Sequence, residues 1–470
     1  MNSNDNFRWL RFAPLVVGVA GLVALAFWLT RGSDPTLILR LPGADAPPGV
    51  AATGLTNAVL AGKLTPGDGI AATNLPGSWP GFRGPDLTGA STEKTALARS
   101  WPAGGPPELW SLTVGEGYAG PAVWNGRVYL MDYDRETKQD ALRCLSLADG
   151  REIWRFAYPV SIKRNHGITR TVPVVTANEV IAIGPKGHVS CLNPVTGELR
   201  WGLDMVKQFG TTIPPWYTGQ CPLIDGDRLI LAPAGPEALV AALELATGKV
   251  LWQSPNPRAW KMTHSSVTPV DFAGRRQYVY CGSHGAAGVA AADGTPLWDT
   301  TEWKISIATV PSPVPLEQGR IFLSGGYDAG AMMLQLQEEN GQVSVSTLYR
   351  LAPGVFGSTQ HTPIYHAGHL FGTRPDGRFV CLDPAGKIVW TSDRGTNFGL
   401  GPYLLADGVF LVMNSSGKLT LIEASTERYA ALAEAKVLDG MESWGPLALV
   451  GGRLLARDLT RLICLDVAAR

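Results

Sequence analysis

Along most of this chain short apolar runs alternate with polar turns, and one phrase keeps returning: a small or polar residue, a proline, then apolar residues. Its copies centre on Pro121, Pro173, Pro222, Pro269, Pro313, Pro363, Pro402 and Pro446. Their spacings run from 39 to 52 residues. A period near 45 residues built from short strands predicts propeller blades, because a four-stranded sheet cannot bury its own faces and must stack radially against its neighbours.

A second phrase follows each proline by half a period and reads strand, tight turn, strand. Cys144 to Trp154 is its fullest copy, and the frame returns at Cys191 to Trp201, Ala242 to Trp252, Gly288 to Trp298 and, one residue shorter, Cys381 to Trp390. Each copy keeps glycine four residues before tryptophan, where a tight hairpin turn demands positive φ. The stretches Met333 to Tyr349 and Leu419 to Leu438 lack the tryptophan and are degenerate copies. After Pro446 the chain supplies three strands and ends, whereas Glu108-Leu109-Trp110-Ser111-Leu112, upstream of the first proline, is a strand without a local partner. That strand is expected to complete the last blade and close the ring, removing the exposed sheet edges. The fold class is therefore all-β, an eight-bladed propeller over residues 79–470.

Ahead of it lies the uncharged run Ala13 to Thr30. As a helix its eighteen residues would span about 27 Å, near the roughly 30 Å of a bilayer core. Arg8 and Arg11 precede it, so the tail 1–12 is expected in the cytoplasm, with the propeller in the periplasm of an inner (cytoplasmic) membrane. Ala24-Leu25-Ala26 matches a small-x-small cleavage site, but Phe27-Trp28-Leu29 carries the apolar run past it and favours an uncleaved single-pass anchor. Residues 31–78, rich in Ala, Gly and Pro, read as a flexible linker.

Forty basic and forty acidic residues balance, so no polyanionic partner is implied and nucleic acid is excluded as an expectation. Four of the six cysteines, Cys144, Cys191, Cys381 and Cys464, fall in one strand slot of different blades. Cysteine there acts as a small buried apolar residue, and slots in separate blades are too far apart for a disulfide. With Cys144 the first cysteine, no lipid-modified N-terminal cysteine is available.

The Cys-Leu-x-x-x-x-Gly-x-x-x-Trp frame resembles the repeat of the pyrroloquinoline-quinone-type eight-bladed propellers, which include quinoprotein alcohol dehydrogenases and the outer-membrane protein assembly lipoprotein. Trp79-Pro80-Gly81-Phe82-Arg83-Gly84-Pro85-Asp86 resembles the lead-in before such propellers and is expected on the outside of the ring. The resemblance implies a fold that serves both a cofactor enzyme and a scaffold, so activity has to be argued from a site. An enzyme of this kind would carry an adjacent Cys-Cys pair, acidic and amide ligands for calcium, and an aspartate base. No Cys-Cys or Cys-x-x-Cys-His occurs, and Asp328, in a glycine-rich turn, is the best candidate base. Pyrroloquinoline quinone with calcium is thus the only cofactor the resemblance suggests, and the residues supply no metal ligand set.

Turns on one face are short, such as Trp124-Asn125-Gly126, while the blade-to-blade connections on the other are long and chemically mixed, such as Arg155 to Thr171. Binding groups concentrate on loops held by a rigid scaffold. A site is therefore expected where the innermost strands begin, lined by Tyr118, by His166 and Arg170, by Trp216, Tyr217 and Gln220, and by His264, Ser265 and Ser266. His361, Asn397 and Trp444 complete the set from the later blades. The reading that follows is a membrane-anchored, periplasmic binding or scaffold module whose partner is an envelope protein or a small molecule. A quinone-dependent dehydrogenase is the alternative.

Overall fold

The computed structural model describes residues 13–30 and 57–469. The chain divides into two units, residues 1–51 and 52–470. In the first, Ala13–Thr30 forms an 18-residue helix. No helix among the described residues is long and apolar enough to cross a membrane. Eighteen residues reach about 27 Å, short of a full hydrocarbon core. The expected transmembrane segment is thus an apolar 18-residue helix. The expected tail 1–12 and residues 31–56 of the expected linker lie outside the described residues.

In the second unit the strands form eight sheets among the described residues, each an antiparallel blade with its first strand innermost. Blade 1 holds Ala122–Trp124, Arg127–Asp134, Gln139–Ser146 and Glu152–Pro159. The ring closes as expected: Glu108–Thr113 pairs with Arg461–Asp466 and becomes the outer strand of blade 8, with Trp110 opposite Cys464. That register is the one seen for Trp154 opposite Cys144, Trp201 opposite Cys191 and Trp390 opposite Cys381, each beside a bulge.

The repeated glycine has a second reason to be glycine. It is the seat for the tryptophan of the preceding blade. A Cβ on Gly150 would come within 2.6 Å of the Trp110 ring, one on Gly197 within 2.6 Å of Trp154, and one on Gly248 within 2.7 Å of Trp201. The indole N–H of Trp110 donates to Leu147 O at 3.0 Å, and that of Trp201 to Leu245 O at 2.9 Å. Blade 5 keeps this joint without the tryptophan: Tyr349 stands opposite Met333 beside the same bulge, packs at 2.9 Å from where a Gly386 Cβ would lie, and donates to Pro384 O at 3.0 Å. In blade 7 the slot holds Ala433.

The small or polar residue before the proline also acquires a cause. Val172 N donates to Cys221 Sγ at 3.3 Å, Cys221 N to Ser266 Oγ at 2.9 Å, Ser266 N to Ser312 Oγ at 3.0 Å, and Ser312 N to Thr362 Oγ1 at 2.9 Å. A belt of hydrogen bonds thus ties blades 2 to 6 around the channel, satisfying backbone donors that no ladder reaches. The belt shows that blade 4 is displaced relative to its proline. Pro269 lies inside the strand Thr268–Phe272, opposite Tyr278, and Val267 occupies the place proline holds elsewhere.

Two expectations about the N-terminal approach are corrected. Residues 57–78, expected within a flexible linker, lie on the propeller: Lys63–Pro66 pairs with Glu152–Pro159 as a fifth strand of blade 1, because that outer edge offers free backbone groups. The lead-in at Trp79 to Asp86 is inside the ring. Trp79 bridges Val123 of blade 1, Val175 N of blade 2 donates to Pro80 O at 2.8 Å, and Ser91 N donates to Leu405 O of blade 7 at 2.7 Å. Arg83 donates to Thr362 O at 2.8 Å and Pro363 O at 3.1 Å of blade 6, and to its own Leu87 O and Thr88 O at 2.8 and 2.7 Å. The contacts reach innermost strands on opposite sides of the channel, so the segment plugs it. A guanidinium with several fixed donors is the side chain that can satisfy that many carbonyls from one position.

Cys144, Cys191, Cys381 and Cys464 are free and buried, as expected of thiols that act as small apolar groups, and Cys221 and Cys281, outside that strand slot, are free and buried as well.

Candidate functional site

On the long-loop face, above the plug, lies a cavity of about 290 Å³. Every blade contributes to its wall, and Phe82 of the plug contributes from below. Seven of the expected residues meet there: Tyr118, His166, Arg170, Trp216, His264, His361 and Trp444.

Tyr118 and Trp444 form one wall, their ring centroids 5.3 Å apart at 33°. Tyr118 OH donates to Glu442 Oε2 at 2.5 Å, and Trp444 Nε1 to Ser415 Oγ at 3.0 Å, so both rings are held from behind. Burial, and then the Glu442 carboxylate, push the Tyr118 phenol up to about 12. The Arg170 guanidinium carbon lies 5.0 Å from the Tyr118 ring centroid, within cation–π range. Its Nη2 donates to Asn165 O at 3.3 Å, and its Nε is buried with no partner. Desolvation lowers its pKa from the usual value.

Two of the three histidines are partly buried. His264 Nε2 meets Tyr217 O at 2.9 Å, and desolvation together with nearby Arg170 lowers its pKa to about 4. His361, 6.0 Å from Tyr403 by ring centroids, is lowered to about 4 mainly by desolvation. Both are neutral at ordinary pH. His166 is exposed, with φ of 56°. Among the described residues no group of three or more His, Cys, Asp or Glu could hold a metal ion.

The remaining expected residues serve the scaffold. Tyr217 is buried with its hydroxyl on Lys163 O, Gln220 makes a two-point contact with the backbone of Ala232 at 2.7 and 3.0 Å, and Ser266 belongs to the belt. Ser265 is buried beside it. Asn397 caps the backbone of Gly399 at 2.8 Å. Asp328 sits in its turn with φ of 63°, outside the cavity wall, while its neighbour Tyr327 faces the cavity. Tyr327, Phe82, Ile307 and Leu400 are lining residues that sequence reasoning did not single out. Tyr327 shares the glycine-rich turn of Asp328, whereas Phe82 belongs to the lead-in, whose expected place is outside the ring.

A quinone with calcium does not fit this lining. Calcium takes about six to eight oxygen ligands, usually including carboxylates, whereas among the described residues the lining holds no acid, and the Glu442 carboxylate behind it is bound to Tyr118. The arrangement offers instead an aromatic chamber with one desolvated cation.

Over residues 137–392, more than half of the chain, the sequence matches the family model described as outer membrane protein assembly factor BamB. BamB from Moraxella catarrhalis superposes with a TM-score of 0.53 at 12% identity, covering 77% of this chain and 99% of that one. The computationally designed Ika8 protein does so with 0.51 at 10% identity, covering 76% and 99%. Quinohemoprotein alcohol dehydrogenase ADHIIG from Pseudomonas putida HK5 gives 0.46 at 13% identity, covering 85% and 82%. At such identities the structural likeness shows the fold alone. No curated protein sequence matches the chain.

Proposed function

Because the chain belongs to the family of the outer membrane protein assembly factor BamB, we propose that it is a binding and scaffold module of the cell envelope, working through its long-loop face and the cavity at the channel mouth. The observation that carries this reading is the cavity itself: all eight blades wall it, and the plug leaves the long-loop face as its approach. Exposed apolar side chains stand beside it, Ile307 at 54% and Met441 at 78% exposure, which is where a partner would gain contact area. In this proposal the apolar helix Ala13–Thr30 holds the protein to the inner membrane, and the basic residues before it keep the tail cytoplasmic and the propeller periplasmic. The partner is an envelope protein or a small molecule.

A photo-crosslinking residue at Met441 or Ile307 in cells is expected to capture an envelope protein, while the same residue at Asp407 on the short-turn face captures none. Equal yields at both faces would overturn the reading. Protease added outside spheroplasts is expected to degrade the propeller; protection by the inner membrane would refute the orientation. Titration of the whole chain with pyrroloquinoline quinone and calcium tests the enzymatic alternative, and dye reduction in the presence of an alcohol would replace the scaffold reading with it.

A further inference from the structure

The cavity has an asymmetric chemistry that narrows what it can hold. Its walls are largely apolar and aromatic, with Tyr118, Trp216, Tyr327 and Trp444 around it and Phe82 beneath. Within that chamber Arg170 forms no ion pair among the described residues, its Nε is buried without a partner, and its one hydrogen bond, to Asn165 O, is a long 3.3 Å. Arg170 is partly buried, and a desolvated cation lacking a counter-ion is costly unless something pairs with it. The nearest acid, Glu442, is turned to the Tyr118 hydroxyl, and its backbone is held at φ of 60°. Two further donors border the same space with no hydrogen bond within the described protein, the Gln360 amide and the Trp216 indole N–H.

We propose that the cavity is a binding site for a carboxylate with an aromatic or branched apolar body, the carboxylate received by the Arg170 guanidinium and the body lying against Tyr118, Trp216 and Trp444. This rests on the binding-module reading and specifies its ligand. The charge logic excludes a cation in the aromatic chamber, because Arg170 already occupies its electrostatic role beside Tyr118. It also disfavours a neutral apolar ligand, which would bury the guanidinium further without pairing it. The planar fork of arginine suits a carboxylate, which it can meet with two parallel hydrogen bonds. A volume of about 290 Å³ lies at the lower end of small-molecule sites, enough for a single compact group and not for an extended chain. The ligand is then either a free small acid or the C-terminal residue of a polypeptide, which share this chemistry.

The test uses the whole chain in detergent, followed by its own tryptophan fluorescence, since Trp216 and Trp444 border the site. The probes are 3-phenylpropionate and its amide, and N-acetyl-glycyl-phenylalanine as free acid and as amide. Each acid is expected to bind at least about tenfold tighter than its amide, as a charge-assisted contact to a desolvated arginine requires. Arg170→Gln is expected to abolish that preference while its melting transition stays cooperative, and Arg170→Lys is expected to keep a reduced part of it. A peptide acid binding far tighter than phenylpropionate identifies a chain terminus as the source, and the reverse identifies a free metabolite. Acids and amides binding alike, acids that do not bind, or a preference that survives in Arg170→Gln would overturn the inference. Crosslinking of an envelope protein at Met441 with no carboxylate preference would leave the scaffold reading standing and sink only this one. Should Arg170→Gln fail to fold, Trp216→Leu serves instead and is expected to weaken both acids by about tenfold or more, by removing aromatic stacking area and a donor; unchanged affinity there would also count against the site.

Discussion

Gly150 of blade 1 lies directly against the indole of Trp110, the outer-strand residue of blade 8, and holds φ of 72°. Alanine at 150 would suffer both the left-handed backbone and a Cβ only 2.6 Å from the nearest atom of that ring. The Gly150→Ala variant is therefore expected to lose about 2–4 kcal/mol in chemical denaturation. Gly408→Ala provides the control, since φ there is also positive, at 71°, with nothing within 4 Å of the added carbon, and only the backbone part, about 1 kcal/mol, is expected.

The closing strand supplies a sharper case. Trp110 is buried, pairs across from Cys464 and hydrogen-bonds Leu147 of the next blade. Trp110→Ala removes contacts to both blades at once, and about 3–5 kcal/mol is the expected loss. Hydrogen exchange should show the amides of Arg461–Asp466 losing protection before those of blade 3; uniform loss around the ring would contradict a closure held at this point.

Arg83 concentrates four carbonyl contacts on one guanidinium, which burial lowers to about 10. Arg83→Met leaves those carbonyls without donors inside the channel. A loss of about 2–3 kcal/mol is expected, together with faster limited proteolysis between residues 79 and 91. A lead-in that remains protected would mean that the backbone bridges to Val123 and Leu405 suffice.

Asp140 in blade 1 is buried, accepts from the Tyr158 hydroxyl and faces Asp132; burial raises its pKa from 3.8 to about 7. The folded state therefore binds a proton more tightly than the unfolded chain between these values. Stability from this group is greatest below about 4 and falls as pH rises toward about 7, where the carboxylate must ionise in place. Asp140→Asn is expected to remove that slope, so the difference in stability between variant and wild type should grow across this window and level off above it. A difference independent of pH would show that Asp140 ionises normally.

All six thiols are buried and free, and burial raises those of Cys191, Cys281, Cys381 and Cys464 to about 12 and that of Cys221 to about 11. A neutral thiol shielded from solvent is a poor nucleophile. Modification by a disulfide reagent at pH 8 should proceed at the rate of unfolding, not at that of a free thiol; rapid labelling of even one cysteine would place it at a surface.

Much of this was legible in the chain because propeller repeats speak redundantly. Eight proline phrases carry the blade count, and the register shared by Trp154, Trp201, Trp252, Trp298 and Trp390 carries the role of Trp110. Where redundancy lapsed, so did the reading. Tyr349 performs the tryptophan's task in blade 5, but one substituted copy cannot announce its own equivalence. Pro269 shows the opposite failure, a motif residue that slid two positions while the strand start stayed with Thr268. The lead-in has no second copy at all, and residues such as Phe82 and Arg83 disclose their place only through the strands they touch. At the cavity, positions beside the prolines were found because the repeat aims them at one axis. Position alone could not separate Arg170, which is left unpaired, from Gln220 and Ser266, which are consumed by the backbone around them.

The pairing of Glu108–Thr113 with Arg461–Asp466 also dictates an order of events. Arg461 holds Glu108 across 353 positions of chain, so the strand Glu108–Thr113 stays without its partner until Arg461–Asp466 has been made. Seven blades can assemble on local hairpins in the meantime, yet the eighth is a loop closure spanning nearly the whole domain, the kind of contact whose entropy slows folding most. Until then the outermost edge of blade 8 is open, and the time the newborn ring spends as an unclosed arc is set by the late meeting of these two distant strands.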